Sequence, residues 1–148
     1  MAECRIQKAG MKDLPILAEL ACLLWPDHTP EEMVGDLTEI MEKSDAAFFL
    51  AYSEEAAVGF AQCQLRRDYV EGTEPSPVGY LEGIYVAEGY RQHGIAASLL
   101  RECESWAKEK GCTEFASDCE LHNTQSLRFH LNVGFEEANR IICFVKRI

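Results

Sequence analysis

Apolar residues recur along the chain with two periods, and the switches between them predict its elements. Cys4 to Ala9 alternates polar and apolar residues, the two-residue period of a strand. From Asp13 the period lengthens, and Ile16, Leu17, Leu20, Leu23 and Leu24 form the stripe of a helix that Asp13 is placed to cap, with Pro15 tolerated in its first turn. Thr29-Pro30-Glu31-Glu32 has the pattern of a capping box with proline at the first helical position, so a second helix starts there. Ala46 to Tyr52 and Ala57 to Arg67 flank the polar turn Ser53-Glu54-Glu55 and read as an antiparallel hairpin. After the turn-rich loop Asp68 to Pro77 comes a strand, Val78 to Val86.

The next helix carries Ala96, Leu99, Leu100, Cys103 and Ala107 on one stripe, with Trp106 outside it. Lys108 and Lys110 complement its C-terminal dipole, and Gly111 is placed to cap it. A strand from Thr113 to Cys119, a short helix from Asn123 to Asn132 and a strand from Ile141 to Arg147 complete the order. Hairpins mixed with strands joined through crossover helices predict one α+β domain, residues 1–148, with three layers and a mixed sheet. No linker or internal repeat divides it.

Composition narrows the function. The 148 residues are 47% hydrophobic and 26% charged, as expected of a soluble globular protein. Asp plus Glu number 25 against 14 Lys plus Arg, a net charge of −11. Nucleic acid and anionic membranes, which need surplus cations, are therefore poor partners; a cationic partner would be attracted, although acidity also serves solubility alone. The seven cysteines, Cys4, Cys22, Cys63, Cys103, Cys112, Cys119 and Cys143, include no C-x-x-C pair and fit reduced thiols in a cytoplasmic protein. Cys112 and Cys119 read as small residues on a half-buried strand, not as nucleophiles. His28, His93, His122 and His130 lack metal-ligand spacing, so no metal is expected. The start of the chain lacks the basic and apolar stretches of a signal peptide, and no apolar run approaches membrane-spanning length.

The chemistry concentrates where the strand Leu81-Glu82-Gly83-Ile84-Tyr85-Val86 turns into Arg91-Gln92-His93-Gly94-Ile95-Ala96 and then into the amphipathic helix. Gly94 and Ala96 keep the turn free of bulk, leaving amides at the helix start free to take an anion, with Arg91, His93 and Arg101 nearby. Neither G-x-x-x-x-G-K-[ST] nor G-x-G-x-x-G is present. Glu82 in an otherwise apolar strand and Asp118 near the end of another are acids in unusual settings. In the turn Leu24-Trp25-Pro26-Asp27-His28 an aromatic, an acid and an imidazole lie close together, either as a pocket rim or as a packed turn.

Arg91 to Ala96 resembles the [QR]-x-x-G-x-[GA] signature of the GNAT superfamily of N-acetyltransferases, and Asn123-x-x-Ser126-x-x-Phe129 leading to Gly134-Phe135 adds a second motif in the same order. Within the superfamily the chain is similar to aminoglycoside 6'-N-acetyltransferases through Leu24-Trp25-Pro26, Leu65-Arg66-Arg67-Asp68-Tyr69-Val70, Leu81 to Val86, Ala116-Ser117-Asp118 and Gly134-Phe135-Glu136-Glu137. The resemblance implies a mixed, mostly antiparallel central sheet with flanking helices. It implies acetyl-CoA as cosubstrate, held by Ile84, Tyr85, Val86, Gln92, His93, Gly94, Ile95, Ala96, Ala97 and Asn123, the last of which also suits a helix N-cap, while Arg91 joins them as a local donor. It implies substrate contacts at Trp25, Tyr69, Glu82 and Asp118 and a contact near Asn139, to which the turn reading adds His28, and a homodimer whose partner chain helps build the cleft.

An amine attacks a thioester only when unprotonated, so the site has to attract an ammonium group and remove its proton. Glu82 is the expected base, through a water, with Asp118 binding and orienting the amine. Main-chain amides near Val86 are expected to meet the charge that develops on the thioester oxygen. Trp25 and Tyr69 offer flat faces to sugar rings. In two places the chain departs from its relatives. Many GNAT enzymes have a tyrosine four residues before the Gly-Phe pair, positioned to protonate the departing thiolate, where this chain has His130, and Asn139 stands where an acidic substrate contact is expected. The rival functions are acetylation of a polyamine, another small amine or a protein N-terminus, and a CoA-binding interaction protein without turnover.

Overall fold

The structure, a computed structural model, describes residues 3–148. Strands β1 (Cys4–Lys8), β2 (Ala46–Ser53), β3 (Ala56–Arg66), β4 (Val78–Val86) and β5 (Phe115–Ala116) form one sheet in that order. The first three pairings are antiparallel and β4–β5 is parallel, which gives the mixed, mostly antiparallel sheet. Helices α1 (Leu14–Leu24) and α2 (Pro30–Met41) cover one face, α3 (Ile95–Glu109) packs on the other, and α4 (Thr124–Asn132) follows β5.

The two faces explain the near-continuous apolar run of β2. Phe48 and Leu50 enter the core under α1 and α2 with Leu17, Leu37 and Phe60, while Phe49 and Ala51 point to Leu99, Leu100 and Cys103 of α3. A strand covered on both sides has no solvent face to make polar. At the start of α2 both bonds of the capping box form, Glu32 N to Thr29 Oγ1 at 3.2 Å and Thr29 N to Glu32 Oε2 at 3.4 Å.

Several expectations need correction. Asp13 occupies the position before α1, but its carboxylate accepts the Gly10 amide at 2.8 Å and closes the short 3-10 turn Met11–Asp13 instead of capping the helix. Leu23 lies outside the buried stripe, exposed, whereas Trp106, off the expected stripe, is buried against the sheet. The expected strand Thr113–Cys119 is reduced to Phe115–Ala116 because it separates from β4 after two pairs, leaving Cys119 exposed while Cys112 is buried. Ile141–Arg147 forms no strand, for among the described residues no strand pairs with it. Among the described residues the main chain from Glu136 onward makes no backbone-to-backbone hydrogen bond. Ile141, Ile142, Phe144 and Val145 are 71%, 79%, 90% and 82% exposed, an apolar segment in water.

The described cysteines are free thiols. Cys103 is pushed well above the ordinary thiol range by its hydrogen bond with Cys63 and by burial, so it stays protonated and inert. Among the described residues no helix is long and apolar enough to cross a membrane.

Candidate active site

Two features of β4 build the site. Cys63 pairs with Leu81 and Gln62 with Gly83, so Glu82 is the extra residue of a bulge, a device that re-aims a side chain. On its other edge β4 pairs with β5 only at Gly79–Phe115 and Tyr80–Ala116. Beyond Tyr80 the two strands part, and β4 from Leu81 to Val86 has an edge with no strand partner among the described residues.

At the mouth of this split, on the α1–α2 face, four side chains form a continuous array. Arg66 donates from Nε to Glu82 Oε2 at 2.9 Å and from Nη2 to Oε1 at 2.7 Å, a two-pronged pair in which the Glu82 side chain is 17% exposed. The Arg66 guanidinium lies 3.5 Å above the centre of the Tyr80 ring, and Tyr80 Oη donates to Asp118 Oδ2. The hydrogen bond to Glu82 raises the Arg66 pKa above its ordinary value. Burial, then the bond to Asp118, pushes the Tyr80 phenol upward, so it remains a donor. The two acids are therefore joined through Arg66 and Tyr80, neither of which was a candidate from the sequence. The available signal was a tyrosine two positions before Glu82, and hence on one strand face with it, and an arginine at the end of the neighbouring hairpin strand.

Trp25, at the end of α1, brings its ring against β4. A Cβ at Gly83 would stand 2.6 Å from both Cζ2 and Cη2 of the indole, and the ring also meets Phe60 edge-on at 6.1 Å. Gly83 is thus the residue that lets Trp25 lie beside Glu82. Replacing Gly83 with Ala is expected to displace the indole, shift its emission to longer wavelength, and raise the acceptor KM about 3- to 10-fold, an overpacking cost of about 1–3 kcal/mol shared between stability and binding. Fluorescence and steady-state kinetics check this; an unchanged acceptor KM counts against Trp25 as a rim of the site.

The other candidates fall into separate groups. His28 turns towards Glu32, with Nδ1 3.9 Å from Oε2, and does not join the Glu82 array. Tyr69 is exposed and its Oη donates to Glu71 Oε2 at 3.4 Å, while Asn139 Nδ2 donates to Glu71 Oε1 at 3.1 Å. These three side chains tie the 68–73 loop to the segment after α4. Asn123 accepts the Ser126 amide at 3.1 Å and so caps α4.

The turn before α3 has the backbone of an anion cradle. Gln92 and Gly94 have φ of +66° and +82°, and the Gln92 value is a conformation that a residue with a side chain adopts only at a cost. The first α3 bond runs from Ser98 N to Gly94 O, which leaves the amides of Ile95, Ala96 and Ala97 ahead of the helix ladder. Arg91 folds back, donating from Nε to Val86 O at 2.7 Å with its guanidinium beside the Tyr85 ring, and Arg101 bonds Ser98 Oγ at 2.8 Å. Arg91 thus braces the turn, while the Arg101 contact stays within α3. His93 and Gly94 line a cavity shared with Cys4, Ile6 and Ser98. No group of three metal-ligating side chains occurs among the described residues.

The geometry thus joins an anion cradle at a helix start to an open strand edge that leads to paired acids. Known proteins are similar to the chain as a whole. The family described as "Acetyltransferase (GNAT) family" matches residues 14–135. Aminoglycoside N(6')-acetyltransferase type 1 from Salmonella typhimurium is 42% identical over 84% of this chain and 86% of its own length, and the protein of the same name from Acinetobacter haemolyticus is 39% identical over 97% and 98%. The solved structure of AAC(6')-Iy in complex with the bisubstrate analog CoA-S-monomethyl-acetylneamine superposes with a TM-score of 0.94 at 37% identity, covering 99% of this chain and all of that one. This chain belongs to the GNAT family of acetyltransferases.

Proposed function

We propose that the protein is an aminoglycoside 6'-N-acetyltransferase, moving the acetyl group of acetyl-CoA directly to a primary amine of the antibiotic and so conferring resistance. The carrying observation is the Glu82–Arg66–Tyr80–Asp118 array at the mouth of the β4–β5 split, with the anion cradle at the far end of the same strand. The relatives, aminoglycoside N(6')-acetyltransferases, support the same acceptor.

The residues divide the work by position. Amides from Gln92 to Ala97 take the pyrophosphate, and the free edge of β4 from Ile84 to Val86 takes the extended pantetheine arm by main-chain hydrogen bonds. Glu82, held by Arg66 but with further lone pairs on its oxygens, removes the ammonium proton through a water, and Asp118, fixed by Tyr80, binds and orients the amine. Amides at the end of β4 stabilise the oxyanion. Trp25 offers its face to a sugar ring, and Tyr69 with Glu71 and Asn139 forms a polar outer wall. Acetylation turns an ammonium into an amide and removes one positive charge from the drug.

The reading includes a cytoplasmic homodimer. The exposed Ile141–Val145 segment, with its unpaired main chain, supports a second copy as its cover, because a two-fold exchange gives each copy both a strand and a place to receive one. Purified protein with acetyl-CoA and kanamycin or tobramycin is expected to release free CoA thiol; no turnover with any aminoglycoside overturns the acceptor. Polyamines, small amines and an N-terminal peptide in the same assay separate the rival acceptors, and CoA binding without turnover identifies a non-catalytic binder.

A further inference from the structure

The thiolate that leaves when the acetyl group moves needs a proton, and the array around Glu82 holds only groups suited to accept one or to stay bound. The second flank of the split carries a different pair. The Phe115 ring lies with Ala107 of α3 against Gly79, which sets Phe115 on the α3 face of β5. Two residues further along the extended chain, Ser117 projects to the same side, where Ser117 Oγ stands 2.8 Å from His130 Nε2. The other nitrogen of that ring, Nδ1, is 2.7 Å from the Ser126 carbonyl oxygen and 3.3 Å from Ser126 Oγ. A carbonyl oxygen only accepts, so Nδ1 carries a proton and the ring addresses Ser117 through Nε2 alone.

Ser117 follows directly on Ala116, the last residue paired with β4, so it sits where the split opens, one residue before Asp118. Asp118 turns to the α1–α2 face and bonds Tyr80, while Ser117 turns to the α3–α4 face and bonds His130. A thioester placed in the split therefore has carboxylates on one side and a hydroxyl backed by an imidazole on the other. Both His130 nitrogens are engaged, one by Ser126 and one by Ser117, so the imidazole reaches the split only through the hydroxyl.

We infer that Ser117 is a catalytic residue, the group that protonates the departing CoA thiolate, and that His130 is the positioning residue that resupplies its proton. As the carbon–sulfur bond breaks, its electron pair stays on sulfur and takes the proton of Ser117 Oγ. The oxygen takes the Nε2 proton of the His130 imidazolium in the same motion. Ser117 ends unchanged, His130 ends neutral and regains its proton from solvent, and the proton lost by the amine leaves on the Glu82 side.

The inference rests on acetyl transfer as proposed above, and turnover by the unaltered protein checks that first. Single-turnover acetylation of tobramycin, followed by rapid quench, then tests the relay. Ser117→Ala is expected to slow the chemical step about 10- to 100-fold, within the usual size of general acid catalysis, with calorimetric acetyl-CoA affinity changed less than about twofold. Ser117→Thr, which restores a hydroxyl, is expected to recover to within about fivefold of the parent, and His130→Gln to fall about as far as Ser117→Ala. The double variant is expected to be no slower than Ser117→Ala, since His130 acts only through Ser117. A Ser117→Ala rate within about twofold of the parent overturns the inference. So does equal loss in Ser117→Thr, or a loss that appears as weaker acetyl-CoA binding. Should Ser117→Ala not fold, Ser117→Thr and His130→Gln decide: a slow Thr variant, or a Gln variant at the parent rate, overturns it.

Discussion

Replacing Glu82 with Gln is expected to lower the rate of acetyl transfer about 10²- to 10⁴-fold, the range for loss of a positioned base. The substitution keeps the size of the side chain and one oxygen able to accept from Arg66, so the bulge on β4 and the position of Trp25 should survive. What it removes is the capacity to take a proton from the amine. Acetyl-CoA affinity, which the proposed function assigns to the amides at the far end of β4, should change less than about twofold, because the two sites share no partner. The Arg66 guanidinium is left with a neutral partner but remains over Tyr80 and partly exposed, so the stability loss should stay near 1–2 kcal/mol, the scale of one charge-assisted hydrogen bond. Rapid-quench turnover, calorimetry and a thermal melt check the three parts. A variant within about tenfold of the parent removes Glu82 from the role of base. A large loss of acetyl-CoA affinity makes its role one of shaping the strand.

The parts of this site that were legible in the sequence are those built from neighbouring residues. The turn from Arg91 to Ala96 could be read because a small residue at a helix start and the free amides behind it are local properties, and Gly94 does take a left-handed φ. Glu82 and Asp118 stood out because acids are rare in apolar strands. Their link was not legible: Arg66 and Glu82 lie 16 residues apart and Tyr80 and Asp118 lie 38 apart, and both contacts depend on the pairing of β3, β4 and β5. The bulge that aims Glu82 is likewise a matter of register, which no single strand pattern reveals. The pairing of Ser117 with His130 spans β5 and α4 in the same way. Asn123 was legible as a helix cap, and its side-chain oxygen is committed to that bond. In the last segment the alternation from Ile141 to Arg147 predicted a strand that does not form, because a strand exists only with a partner and among the described residues none pairs with it.

The consequence is a second large effect, at Phe144. Its side chain is 90% exposed, and with Ile141, Ile142 and Val145 it forms the kind of apolar, unpaired edge that folded proteins otherwise cover or charge. Burying one such side chain contributes about 1.5–3 kcal/mol, and a two-fold exchange counts each twice. Charge favours the same cover: after Glu137 the chain has Arg140, Lys146 and Arg147 but no acid, while the whole chain carries −11. The segment leaves the body beside the site, since Ala138 lies against Gly72 and Asn139 bonds Glu71. A second copy's strand received along the open edge of β5 would stiffen Ser117 and Asp118, which follow directly on it. Sedimentation at about 10 μM is therefore expected to find the parent dimeric and Phe144→Asp monomeric, a shift that two desolvated carboxylates are large enough to produce. Acetyl transfer by the monomer should fall about tenfold or more, as expected when catalytic groups lose their support. The melting temperature of the parent should rise with protein concentration and that of the variant should not. A monomeric parent, or a variant that remains dimeric with full activity, shows that the segment is covered by something other than a second copy.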